Sequence, residues 1–358
     1  MREELQGLLS KQGYGFAGEH GGVKLCHWTK EDLKEDGRHC YKGDFYGVDS
    51  HRCMQMTPVV DYCNFRCLYC WRSQDFDYAG PRVWDPPSTL LLDAIKEQRR
   101  LISGYKGKDT TSMEKWIRAH RPKHVAISLN GEPTVYPHLA EFIKTCHQHG
   151  MTTMVVTNGS FPEAIEKLAE LDGLPSQLYV SLDAPNEEVF NKLCVPLTGG
   201  AWDKLNRTLE IMADLDCRTV CRITSVKGWN MGFYDEYAQL IEKADPTFVE
   251  VKGYVWVGYS RERMKEENMP SHGDIRQFAQ RLSEEIGYSF EAERADSRVA
   301  LLVKPGAERK LPEYEDESPI TLEGEDVPNG IPAEHRREAE AILPMAGQDG
   351  MGCGCTGH

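Results

Sequence analysis

The sequence lacks any run of about 18 apolar residues, so no membrane-spanning helix is expected among its 358 residues. Its first residues, MREELQGLLS, lack the apolar stretch of a secretory leader. Basic residues are outnumbered: 42 Lys+Arg stand against 56 Asp+Glu, a formal charge of −14, which speaks against a wholly basic nucleic-acid surface. These absences imply a soluble, cytoplasmic protein with no membrane partner. Apolar and charged fractions of 40% and 27% are those of a globular chain. Cysteine, by contrast, is plentiful. There are twelve, six of them between positions 26 and 70. Without a leader, metal or redox chemistry explains them better than disulfides do.

Residues 1–52 are polar, rich in Gly and His, and only weakly periodic. A helix is expected after Pro87, with Ser88 as N-cap and Leu91, Leu92, Ile95 and Leu101 on one face. Short apolar runs then alternate with helical patterns. Strands are expected at His124–Leu129, Thr153–Thr157, Leu178–Leu182, Thr219–Val226 and Thr247–Val257, with a last one at Val299–Val303. Helices are expected at Leu139–His149, Pro162–Leu171, Asp203–Leu215, Tyr234–Lys243 and Asp274–Glu285. Such alternation implies an α/β fold with a parallel sheet. The length suits a partial (β/α)6 TIM-like barrel with its reaction centre at the C-terminal strand ends. A doubly wound open sheet also satisfies the periodicity. Three regions are expected: an N-terminal extension (1–52), the barrel (53–305) and an acidic, flexible or peripheral tail (306–358).

Within VVDYCNFRCLYCWR, Cys63, Cys67 and Cys70 follow an apolar strand (MQMTPVV) in a tight loop. Thiolates suit iron–sulfur clusters and zinc. A structural zinc wants four ligands, whereas three thiolates on a four-iron cluster leave one iron for a substrate. A zinc loop completed by a distant His is the plainer reading. The spacing CxxxCxxC, with Tyr69 before the last cysteine, resembles that of the radical S-adenosylmethionine (SAM) enzymes. The resemblance implies a [4Fe-4S] cluster whose free iron chelates SAM and whose electron releases a 5′-deoxyadenosyl radical. The turn Asn130-Gly131-Glu132-Pro133-Thr134 after HVAISL resembles the family's glycine- and glutamate-containing motif for the SAM amino group. Alone it is an ordinary turn. Asn158, Ser181 and Asp183 end the next two strands and are candidates for ribose or carboxylate, or simply caps and turn residues.

Cys26, Cys40 and Cys53 form a second, wider triad unlike the paired cysteines of a zinc ribbon. A structural zinc using His27, His39 or His51 is the plain alternative to a second cluster. The segments CYKGDFYG, SHRCMQMTP, CNFRCLYCWR, NGEPTVYP and VEVKGYVWVGYSR together resemble the archaeal 4-demethylwyosine synthase family, over roughly residues 20–305. That resemblance implies a second [4Fe-4S] cluster with an open site on Cys26, Cys40 and Cys53. It implies pyruvate and the N1-methylguanosine at position 37 of tRNA-Phe as substrates. The base becomes tricyclic, and 5′-deoxyadenosine, methionine and formate are released. Lys42 matches the family's lysine proposed to form a Schiff base with pyruvate; a charge contact to tRNA is its bland reading. There is no room for the flavodoxin-like domain of eukaryotic relatives, so an external one-electron reductant is implied, and a monomer is expected. Two departures stand out: the first cysteine gap is one residue longer than usual, and CYKGDFYG lacks a second lysine often found there.

Charge is uneven along the chain. Residues 93–123 hold nine Lys/Arg against four Asp/Glu. With Arg66, Arg72, Arg261, Arg263 and Lys265, these are expected to rim the strand ends and hold phosphates, unless they are a solvated helix face. Trp71, Tyr254, Trp256 and Tyr259 are candidates for stacking on an extruded base, or core residues. Cys146, Cys194, Cys217 and Cys221 read as packing residues, and Cys353 and Cys355 as a thiol tail. The competing functions are another radical SAM reaction with an accessory cluster, and a zinc-stabilised RNA-binding module without chemistry.

Overall fold

The computed structural model describes residues 3–75 and 80–317. Ten strands form one sheet: β1 (Tyr14–Ala17), β2 (Gly21–Lys24), β3 (Cys53–Thr57), β4 (His124–Ile127), β5 (Thr152–Thr157), β6 (Gln177–Ser181), β7 (Arg218–Ser225), β8 (Phe248–Gly253), β9 (Ser289–Arg294) and β10 (Val299–Val303). Their spatial order is β1-β2-β3-β4-β5-β6-β7-β8-β10-β9. Strands β3 to β8 pair in parallel, each beside the next in sequence. A doubly wound sheet would reverse its order midway. The parallel strands here never do, so the architecture is the partial six-unit barrel, bordered by an antiparallel hairpin on each side.

The helices are α1 (Glu3–Lys11), α2 (His27–Asp32), α3 (Tyr41–Tyr46), α4 (Pro87–Ser103), α5 (Met113–Ala119), α6 (Leu139–Gln148), α7 (Pro162–Glu170), α8 (Glu187–Leu193), α9 (Ala201–Met212), α10 (Tyr234–Ala244) and α11 (His272–Ile286). None is long and apolar enough to cross a membrane among the described residues. The strong 3.6-residue stripes place the crossover helices within a few residues of their expected limits. Helix α4 differs in detail. Its N-cap is Pro86, not Ser88, and its buried face is Leu90, Leu91, Ala94, Ile95 and Ile102. Leu92 and Leu101 are only partly covered. The hairpin β1–β2 and strand β9 were not expected: β1 and β2 are four residues each and glycine-rich, and β9 alternates Phe290 and Ala292 with charges.

Two apolar clusters flank the sheet. One lies between the strands' outer faces and the helices. The other fills the concave interior with Ala126, Met154, Tyr179, Val220, Phe248, Val299, Leu301 and Val303, into which α3 inserts Tyr41, Phe45 and Tyr46. Helix α3, within the N-terminal segment, is therefore a plug in the barrel. Residues 306–317, expected within the tail, run as a strap beneath it. The Arg218 guanidinium donates to the carbonyls of Glu308, Arg309 and Lys310. Leu311 N–H donates to Tyr46 O at 3.0 Å, and Arg309 donates to Asp44 O and Phe45 O. The rest of the expected tail, with Cys353 and Cys355, lies outside the described residues.

Candidate active site

The two cysteine triads occupy opposite ends of β3. Cys53 opens the strand, and the loop carrying Cys63, Cys67 and Cys70 follows its C-terminal end. Antiparallel pairing of β2 with β3 matches Val23 to Met56. Continuing that register brings Cys26, just beyond β2, alongside Cys53. Cys40 is the N-cap of α3. Within each triad the thiols act on one another: Cys26 raises the pKa of Cys40 and Cys53, Cys67 that of Cys63, and Cys70 adds to the rise that a hydrogen bond with Cys194 causes at Cys67. Burial is the larger cause, pushing Cys40 up to about 11 and Cys53 and Cys63 up to about 12. Soft ligation converts such thiols to thiolates and releases protons.

Among the described residues, no group of three His, Cys, Asp or Glu could hold a single metal ion. As soft donors, the three thiols of each triad are of the kind that caps separate irons of a sulfide cube. Arg72 packs against Cys63 and Cys70, a fixed positive charge beside sulfurs that ligation would make anionic.

The loop is braced from several directions. Gly131 has φ +73°, and a Cβ there would lie 1.8 Å from Val59 O and 2.5 Å from Tyr62 O, so only glycine lets the NGEPT turn dock under the loop. Glu132 N–H donates to Tyr62 O at 2.9 Å. Asn64, which was not anticipated, meets Ser160 and Asn158 through its side-chain amide. Arg263 donates to the carbonyls of Leu68, Cys70 and Arg72, so it clamps the loop rather than offering itself to phosphate.

These elements enclose a cavity of about 430 Å³ at the strands' C-terminal ends, lined by Cys63, Cys67, Cys70, Gly131, Glu132, Asn158, Ser181, Asp183, Arg222 and Lys252. Every predicted SAM-site residue but Pro133 thus faces one space. Pro133 starts the turn behind it. Glu132 is buried, and its Oε1 accepts from Thr134 N–H, Thr134 Oγ1 and Thr157 Oγ1. Among the described residues its Oε2 accepts only from Asn158 N–H, at 2.8 Å, and retains capacity for an ammonium group. Asp183 accepts from Tyr69 OH at 2.5 Å and Thr224 N–H at 2.6 Å, so it locks the residue preceding Cys70. Cys194, expected to be packing, also lines the cavity and approaches Tyr69 OH at 3.9 Å.

Lys42 lies on α3, buried in the barrel interior. Its Nζ contacts Met154 Sδ at 3.6 Å and sits 4.2 Å from the Tyr179 ring centroid. No oxygen acceptor reaches it among the described residues. Burial lowers its pKa most, with Glu250 opposing and Arg222 adding to the effect. Lys252 is also depressed, to about 8, chiefly by burial, but donates to Ser297 O at 2.8 Å.

The basic stretch 93–123 does not rim this cavity. Lys123 directly precedes β4, at the opposite end of the strands, and pairs with Glu313; Arg121 pairs with Asp316 and Lys115 with Asp32. Arg99 is buried, donating to His120 O. Trp71 and Tyr254 line the cavity, whereas Trp256 is tied to Met264 O through its indole and lies outside the lining with Tyr259.

The chain matches the family model for the radical SAM superfamily over residues 57–241 and that for wyosine base formation over 243–304. The first implies SAM and a [4Fe-4S] cluster. The chain is 48% identical to an S-adenosyl-L-methionine-dependent tRNA 4-demethylwyosine synthase of Pyrococcus abyssi, over 85% of this chain and 90% of that one. It is 40% identical to that of Methanocaldococcus jannaschii, over 84% and 96%. A solved TYW1 structure with a lysine–pyruvate adduct bound superposes with TM-score 0.78 at 38% identity, covering 87% of this chain and 98% of its own. By sequence, coverage and fold, the chain belongs to the S-adenosyl-L-methionine-dependent tRNA 4-demethylwyosine synthase family.

Proposed function

We propose that this chain condenses pyruvate with N1-methylguanosine-37 of tRNA-Phe to build the tricyclic 4-demethylwyosine base. On this reading Cys63, Cys67 and Cys70 hold the SAM-cleaving cluster, and Cys26, Cys40 and Cys53 hold a second four-iron cluster. Cluster and SAM, when bound, supply the 5′-deoxyadenosyl radical that removes a hydrogen from the N1-methyl group. The single observation that carries the proposal is the position of Lys42, two residues after Cys40 and inside the barrel whose open end carries the other triad.

Desolvation favours a neutral amine, the form that attacks a keto carbon. Because Lys42 Nζ is held by a thioether and an aromatic face rather than by a carboxylate, its lone pair is free once deprotonated. Lys252 is engaged with the Ser297 carbonyl, which favours Lys42 as the nucleophile. Glu132 Oε2 and the backbone at Gly131 would take the SAM ammonium, while Ser181 and Asn158 border the space for its ribose and carboxylate. Trp71 and Tyr254 would flank the guanine. The electron comes from an external reductant, and the chain acts as a monomer in the cytoplasm. The test is anaerobic incubation with SAM, a reductant, pyruvate and tRNA carrying N1-methylguanosine, followed by nucleoside mass analysis. Formation of the tricyclic base and formate is expected; unchanged N1-methylguanosine alongside SAM cleavage would contradict the proposal.

A further inference from the structure

Arg222 stands on β7 level with Ser181 on β6 and Glu250 on β8. It is partly accessible, through the cavity it lines. Among the described residues its guanidinium makes no hydrogen bond and no ion pair. The nearby carboxylates are already engaged: Glu250 accepts from Tyr41 OH at 2.9 Å and Tyr46 OH at 2.8 Å, and Asp183 accepts from Tyr69 OH and Thr224 N–H. Both carboxylates lie near enough to favour the guanidinium's charge, yet neither takes its N–H donors. Open donors at a cavity wall offer a place for an anion, and the five-donor fork fits a carboxylate through two parallel bonds.

We infer that Arg222 anchors the carboxylate of the keto-acid substrate and presents its keto carbon to Lys42, an inference that rests on the reading of Lys42 given above. Two carboxylates would enter this cavity, that of pyruvate and that of SAM. Position favours the first. Lys252 and Thr224 form the next level toward the Cys63 loop, so Arg222 lies one step deeper, on the level of Glu250. Glu250 in turn holds Tyr41, the neighbour of Lys42 in α3. An imine would form there by attack of the Lys42 amine and loss of water, with the carboxylate held to one side.

The test is borohydride trapping of the anaerobic holoenzyme with pyruvate or its neutral ester, methyl pyruvate, read by peptide mass at Lys42, beside equilibrium dialysis of SAM. Wild type is expected to reach half-maximal trapping with pyruvate at a concentration about tenfold or more below that for the ester. Arg222→Gln should raise the pyruvate requirement about tenfold and abolish the preference, with SAM affinity changed less than about threefold. Arg222→Lys should restore part of the preference, which a purely structural role would not do. A retained preference in Arg222→Gln overturns the inference, as does a loss confined to SAM affinity, which would assign Arg222 to the SAM carboxylate. Should Arg222→Gln fail to fold, Arg222→Lys with a full wild-type preference overturns it equally. Absence of trapping at Lys42 in wild type would overturn both this inference and the Lys42 reading, whereas trapping without discrimination overturns this one alone.

Discussion

The phenol of Tyr41 donates to Glu250 at 2.9 Å across 209 residues of sequence, and Tyr46 donates to the other oxygen of the same carboxylate. This joint fixes α3, and with it Cys40 and Lys42, against the last parallel strand. Glu250→Gln keeps the volume but replaces one acceptor oxygen by an amide donor, so one buried tyrosine hydroxyl loses the acceptor for its O–H. A loss of about 1–3 kcal/mol is expected, read as a lower urea midpoint, together with weaker pyruvate trapping at Lys42. An unchanged midpoint would show that α3 is held by packing alone.

Gly131 is the pivot beneath the SAM-side loop. Gly131→Ala adds a Cβ that meets Val59 O at 1.8 Å, at a φ of +73° that disfavours side chains. The loop must shift, so SAM binding by equilibrium dialysis should fall at least about tenfold, with a stability cost of about 1 kcal/mol or more. Equal SAM affinity would mean that loop and turn are not rigidly docked.

Much of this site can be read along the chain, because its chemistry is carried by local patterns. CNFRCLYC and NGEPT are short, and each follows a strand whose apolar run marks its end. The six parallel strands are legible for the same reason. Partnerships made at long range are not. Tyr41 and Tyr46 look like surface aromatics of a polar loop until β8 brings Glu250 to them, and α3 is too short for a periodic signal. Arg263 reads as a free cation near tRNA because nothing local shows that its donors turn back onto the carbonyls of Leu68, Cys70 and Arg72. Arg222 sits in TVCRITSV as one polar residue in a strand, and only the barrel's curvature reveals which way it points.

The strap beneath the barrel gives a third prediction. Arg218 donates to three successive carbonyls of residues 308–310, while the strap contacts the end of α3. Arg218→Ala should release it, raising amide hydrogen exchange of residues 41–46 by about tenfold or more, while exchange in β5 and β6 stays as in wild type. Uniform acceleration throughout would instead indicate global destabilisation.

Two histidines, His120 buried and His147 half-buried, set an acid limit. Burial lowers the pKa of both His120 and His147 to about 4. His120 Nδ1 hydrogen bonds to Trp116 O at 2.9 Å, and the His147 ring stacks on Tyr314 at 4.0 Å. In the unfolded chain both titrate near 6.5, so between about pH 6.5 and 4 the unfolded state binds more protons. Stability is therefore full above pH 6.5 and falls as pH drops to 4, by up to about 3 kcal/mol for each group. His120→Gln should flatten this slope in urea titrations; an unaltered slope would remove His120 from the account.

The most direct measurement is iron and acid-labile sulfide per chain after anaerobic reconstitution, compared between wild type and a variant with Cys26, Cys40 and Cys53 all replaced by Ala. Two clusters at opposite ends of β3 predict about eight iron in wild type and about four in the variant, the latter still cleaving SAM but trapping little pyruvate. About four iron in both proteins would contradict the two-cluster barrel.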